Sequence, residues 1–113
     1  MTTYFGFALA DSMFVGECTI DRHELTIEDV RRHVTHGVTP CLNPSHQATI
    51  AAMRSRFGLD VAIPANPPRV ELRSGDSLIV MGVRGLPRLT DRHEYSEAEI
   101  AAATFRFSFY YVR

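Results

Sequence analysis

The chain has no lysine: all twelve of its basic residues are arginine. GC-rich coding, which favours arginine codons, is the simplest account of that bias. Arginine also makes forked contacts with phosphates and carboxylates, so a functional account stands beside it. An excess of charge is missing as well. The formal net charge is −1, which argues against a protein that holds duplex nucleic acid through bulk positive charge. Two cysteines, Cys18 and Cys41, make no metal or redox spacing. No apolar run is long enough to span a membrane. The start, Met1-Thr2-Thr3-Tyr4, lacks the basic region of a signal peptide. The expectation is a cytoplasmic protein in a reducing compartment, without a membrane partner. There is no Ser/His/Asp set, Walker loop, dinucleotide fingerprint or paired-carboxylate motif, and no cofactor is expected.

What is present suits one globular domain. The 113 residues are 45% hydrophobic and 22% charged, enough for a modest core that dimerisation would reinforce. Tyr4 to Ala10 reads as a buried strand, and Glu17 to Ile20 as an edge strand. Thr26-Ile27-Glu28-Asp29 matches a capping box, which opens a helix to His36 that Gly37 stops. Val38 to Leu42 reads as a short strand. A second helix is expected from Ser45 to Phe57, with Ile50, Met53 and Phe57 at helical spacing and Gly58 closing it. Ala62 to Pro68 is a proline-stiffened linker. Arg69 to Arg73 alternates polar with apolar and is expected to pair with Leu78 to Val83 as a hairpin. Ser96-Glu97-Ala98-Glu99 is another capping box, opening a short helix. Phe105, Phe107, Phe109 and Tyr111 fall on one face of a last strand, which a helix or another subunit must cover. The order predicts an α/β domain, a mixed sheet of about five strands flanked by helices.

The stretch richest in chemistry is Asn43-Pro44-Ser45-His46-Gln47-Ala48-Thr49. Its polar residues crowd a histidine at a helix mouth, beside free backbone N–H groups and the positive end of the dipole. An anion such as a phosphate binds well there, and a histidine there can deliver a proton to it. The residues alone leave two readings open: His46 caps or packs beside the helix, or it serves a site. His33-x-x-His36 has feasible metal spacing, but no carboxylate or cysteine motif completes it. These two are expected at the surface, near a helix C-terminus. Arg84 and Arg88 flank Gly85-Leu86-Pro87, and stand equally as phosphate ligands or as a solvated loop. His23 and His93 lie in polar segments and carry no assignment.

Taken in order, several short landmarks resemble a known family. They are His46-x-x-Thr49 opening a helix, a strand near Arg69, Gly75-Asp76 before an apolar strand, Leu86-Pro87, and Ser108-Phe109-Tyr110-x-Val112. This series is similar to the B116-like family of archaeal viruses, which includes the viral type III anti-CRISPR ring nucleases and related cellular ring nucleases. The resemblance spans nearly the whole chain. It implies a small α/β homodimer that binds cyclic tetra-adenylate across its two-fold axis and cleaves it without metal. The ribose 2′-hydroxyl attacks the adjacent phosphorus, the histidine matching His46 protonates the departing 5′-oxygen, and products end in a 2′,3′-cyclic phosphate. One histidine suffices because the substrate supplies the nucleophile. The family usually has glycine before the histidine and an acid after it, where this chain has Ser45 and Gln47. Its first-strand serine falls nearest Ala10, with Asp11 and Ser12 next. Its Arg-Leu-Pro-Glu element reads Gly85-Leu86-Pro87-Arg88, preceded by Arg84. The ligand-binding residues expected from these matches are Ala10, Asp11, Ser12, Asn43, Ser45, Gln47, Thr49, Arg84 and Arg88. Two alternatives stand beside cleavage: a sponge of the same fold that holds the nucleotide intact, and an interaction protein that uses its aromatic last strand.

Overall fold

The computed structural model describes residues 1–113. Eight regular elements follow in order: β1 (Thr3–Gly6), β2 (Ile20–Leu25), α1 (Ile27–His36), β3 (Thr39–Pro40), α2 (Gln47–Phe57), β4 (Ser77–Arg84), α3 (Glu97–Ala102) and β5 (Thr104–Val112). The strands form one five-stranded sheet in the order β2-β5-β4-β1-β3. β1 runs parallel to both β3 and β4, whereas β5 is antiparallel to β4 and β2. The expected mixed α/β sheet is therefore present.

Local chemistry explains the helix boundaries. Thr26 Oγ1 accepts from the Asp29 N–H, and the Asp29 carboxylate accepts from the Thr26 N–H, each at 3.2 Å. This reciprocal box satisfies two otherwise unpaired donors and starts α1. The same box joins Ser96 to Glu99 at the start of α3. α2 ends where Gly58 turns left-handed at φ 66°, a conformation that costs a side-chain-bearing residue energy.

One sheet face carries the main core. Phe5, Ile79, Met81 and Phe107 meet Val30 of α1 and Ile50 and Met53 of α2 there, all buried. Phe57 packs edge-on against both Phe105 and Phe107. The aromatic row of β5 is thus covered by helices as far as Phe109, while Tyr111 stays 37% exposed. The opposite face is covered only near one end, where Val70, Leu72, Leu78 and Val112 gather with Tyr4, Met13 and Phe14.

Three expectations need correction. The segment from Arg69 to Arg73 is not a hairpin strand. Its only sheet-like tie is an isolated bridge between Phe14 and Leu72, and β4 pairs with β1 and β5 instead. Its alternation is real, but Val70 and Leu72 turn inward to cover the sheet rather than to extend it. The first strand ends at Gly6, where its ladder with β4 stops at the Gly6–Val80 pair and the chain turns off toward the 3-10 turn at Asp11. The edge strand expected at Glu17 to Ile20 lies further on, at Ile20–Leu25. No helix is long and apolar enough to cross a membrane.

Candidate functional site

Parallel strands that end side by side leave a crevice beyond their carboxyl ends, where ligands of open α/β sheets commonly sit. Here β1 and β3 end together, with Phe5 opposite Pro40. The chain leaves β1 as Gly6-Phe7-Ala8 and leaves β3 as Cys41-Leu42-Asn43, and these segments line a hollow of about 300 Å³. Ser12 and Met13 close one side and Pro68, Arg69 and Val70 another, with His46 also on its wall.

His46 is set in place by its own turn. Asn43 accepts from the Ser45 N–H through Oδ1 (2.9 Å) and from the His46 N–H through its backbone carbonyl (2.9 Å). Pro44 to His46 form one 3-10 turn that feeds directly into α2. His46 is itself the cap residue of α2, yet its side chain makes no capping bond. Its imidazole instead lies exposed and stacked on Phe7, with ring centroids 6.2 Å apart and planes 29° apart. That contact uses neither ring nitrogen, so both remain free for a ligand.

Cys41 shapes the floor. Its thiol donates to the Phe5 carbonyl at 3.1 Å, and burial pushes its pKa up. A raised thiol is a poor nucleophile at neutral pH. Gly6 is buried against it, and a Cβ at Gly6 would stand 2.7 Å from the sulfur.

The fold brings together only part of the expected ligand set. Asn43, Ser12 and His46 share the hollow. Ala10 and Asp11 lie just before Ser12 at the start of a 3-10 turn, exposed and outside the lining. Ser45 and Gln47 are exposed beside His46, and Thr49 is half-buried one turn into α2; none of the three lines the hollow. Arg84 ends β4 on the open part of the sheet face, in a separate hollow with Arg22, Arg106 and Ser108. Arg88 is exposed and lines neither. Arg69, with Phe7, Met13 and Cys41, lines the His46 hollow, although the sequence marked Arg69 only as the start of a strand and not as a ligand. The chain closure that carries residue 69 to residue 46 is long-range, and only the stiff Pro67-Pro68 pair before Arg69 hinted at a fixed position.

His23, His33 and His36 share a different corner. His33 stacks on Phe109 at 5.0 Å, and His36 bonds the Arg32 carbonyl through Nδ1 at 2.8 Å. No trio of His, Cys, Asp and Glu side chains is placed to hold a metal ion.

The fold is similar to that of B116 of Sulfolobus turreted icosahedral virus, with a TM-score of 0.72 over 98% of this chain and 99% of that one. The two sequences are 18% identical, so the likeness is one of fold. No protein-family model and no curated protein matches the chain.

Proposed function

We propose that this chain binds a cyclic oligonucleotide, with cyclic tetra-adenylate the first to try, and cleaves it as a metal-independent ring nuclease. In a cell with type III CRISPR defence, that activity would damp the second-messenger signal. The observation that carries the reading is His46, exposed and held by Phe7, on the wall of a hollow that also holds a guanidinium. The ribose 2′-oxygen attacks phosphorus and the P–O5′ bond breaks. The leaving 5′-oxygen takes a proton from the His46 imidazolium, and the 2′-hydroxyl proton passes to solvent. The product ends in a 2′,3′-cyclic phosphate.

A hollow of about 300 Å³ lies at the bottom of the range for ligand sites, room for one nucleotide rather than a ring. The proposal therefore includes a homodimer in which two hollows share one ligand. Incubation with cyclic tetra-adenylate, followed by chromatography, tests the reaction. Loss of a general acid costs about 10²- to 10⁴-fold in rate, so His46→Ala should retain only a trace of turnover. No turnover by the unaltered chain, or equal turnover by the variant, would sink the reading.

A second reading rests on Arg84 and Arg88, both outside the hollow. A site short of those guanidinia can hold a ring without cutting it. That sponge predicts tight binding with the ligand recovered intact after denaturation, and recovery of linear fragments rules it out.

A further inference from the structure

We infer that Phe7 is the positioning residue for His46: its ring, in place of a hydrogen bond, sets the plane of the imidazole at the hollow. The inference rests on the reading of His46 as a proton donor.

A catalytic histidine is commonly oriented by a hydrogen bond from one ring nitrogen to a carboxylate or a carbonyl. Here the polar groups near His46 do not offer one. No aspartate or glutamate lines the hollow. The Asn43 Oδ1 is taken by the Ser45 N–H, and the Cys41 thiol by the Phe5 carbonyl. His36 shows the contrast, since its Nδ1 is tied to the Arg32 carbonyl at 2.8 Å. What His46 has is the face of Phe7, with ring planes 29° and centroids 6.2 Å apart, inside the range of offset stacking.

Both halves of that stack are anchored in the main core. Phe7 is half-buried and packs on the cluster that holds Phe5, Leu42 and Ile50. The Phe5 carbonyl accepts from the Cys41 N–H at 2.9 Å and from the Cys41 thiol at 3.1 Å. Those bonds hold the end of β1, just before Phe7, against the chain that leaves β3. His46 enters α2 one turn before Ile50, which is 1% exposed. The two rings meet because both backbones are held, and the exposed imidazole gains one packed side.

A stack restrains the plane of the ring but not which nitrogen leads, because turning the ring over restores the same contact. That would handicap a general base, since only one nitrogen of neutral imidazole accepts a proton. It does not handicap an imidazolium donor, in which both nitrogens carry hydrogen. The face of Phe7 also attracts the cation, so the ring stays stacked in the form that acts. An aromatic orienter therefore suits proton donation better than base catalysis.

The test measures cleavage of cyclic tetra-adenylate by Phe7→Leu, Phe7→Tyr, His46→Ala and the Phe7→Leu/His46→Ala double variant, with NMR of the His46 ring protons alongside. Misplacing a reacting group by about 1 Å costs ~100-fold. Phe7→Leu should thus lower kcat ~10- to 100-fold and leave KM within about threefold. Phe7→Tyr keeps the ring and should restore kcat to within about threefold of the unaltered chain. In the His46→Ala background Phe7→Leu should cost nothing further, because residues that act as a unit are not additive. The ring current of Phe7 should move the His46 ring protons upfield, and Phe7→Leu should abolish that shift; should Phe7→Leu unfold, the shift in the unaltered chain and in Phe7→Tyr decides. Unchanged kcat in Phe7→Leu, or an equal loss with and without His46, overturns the inference while the nuclease reading stands. Absence of the upfield shift also overturns it. A Phe7-dependent shift in a chain that leaves the cyclic nucleotide intact supports Phe7 as the orienter while ending the nuclease reading.

Discussion

Gly6→Ala should destabilise the fold and close the hollow, and Cys41→Ala should relieve both effects. Gly6 is buried at the end of β1, with an ordinary negative-φ backbone that alanine accepts. Backbone propensity alone would therefore favour alanine by about 0.5–1 kcal/mol in a strand. The obstacle is spatial: the new Cβ would lie 2.7 Å from Cys41 Sγ, a distance that real contacts do not reach. The thiol cannot simply swing away, because it donates to the Phe5 carbonyl and is half-buried between β1 and β3. Overpacking of this kind costs about 1–3 kcal/mol, which exceeds the propensity gain. The net loss should be about 1–2 kcal/mol, or roughly 4–8 °C in Tm for each kcal/mol in a domain near this size. Cys41→Ala removes the obstructing sulfur, so in that background Gly6→Ala should be neutral or mildly stabilising. Urea denaturation of the two single variants and the double variant forms a cycle with an expected coupling of at least ~1 kcal/mol. Additive losses, with coupling under about 0.5 kcal/mol, would refute the steric account of Gly6. Binding of cyclic tetra-adenylate by the same four proteins should follow the same pattern, because the contact lies on the lining of the hollow.

Two further outcomes test the helix ends. Thr26→Ala removes the hydroxyl half of the α1 capping box and should cost about 1 kcal/mol, visible as a lower urea midpoint with an unchanged slope. Glu99 sits in a two-pronged pair with Arg92 at 2.6 and 2.7 Å and also accepts from the Ser96 N–H. Mainly through the Arg92 contact, its pKa falls from 4.5 to about 2. A depressed carboxylate stabilises above its unfolded pKa, so the contribution is complete above pH 4.5 and vanishes as pH falls toward 2. Melting curves of the unaltered chain and Glu99→Gln should therefore differ at pH 6 and converge near pH 2; a constant gap across that window would contradict the assignment.

How far the sequence foretold the molecule depends on whether each signal was local. The capping boxes at Thr26 and Ser96 act within a single turn, and both helices begin where the residues say. The last strand was equally legible, since Phe105, Phe107 and Phe109 all belong on the packed face. β2 was hard to place because it is an edge strand: Asp21, Arg22, His23 and Glu24 show no apolar alternation, as neither side of that stretch is deeply buried. The Arg69 to Arg73 segment misled for the opposite reason. Alternation reports that one side is buried, not which partner takes the backbone hydrogen bonds. Here the Arg73 N–H goes to the Asp76 carboxylate at 3.0 Å and the Leu72 N–H to Met13, not to a ladder. The site divides in the same way. His46 was legible from its capping turn, whereas Arg69 joins it only through long-range closure of the chain.

This division also bears on why site residues can differ while the fold persists. Stability lies on the helix-covered sheet face, where Phe5, Val30, Ile50, Met53, Ile79 and Met81 are essentially inaccessible. Substitution there carries cavity costs of several kcal/mol. His46, Ser45, Gln47, Arg69, Arg84 and Arg88 are all exposed, and exposed substitutions typically shift stability by no more than about 0.5 kcal/mol. A core held by volume and pattern tolerates wide change in sequence, consistent with a shared fold at 18% identity and TM-score 0.72. Folding therefore places little restraint on Ser45, Gln47 or Arg88. Exchanging Ser45 for glycine or Gln47 for glutamate, both beside His46 but outside the lining of the hollow, should leave the melting point nearly unchanged, and a shift of several degrees would refute that division.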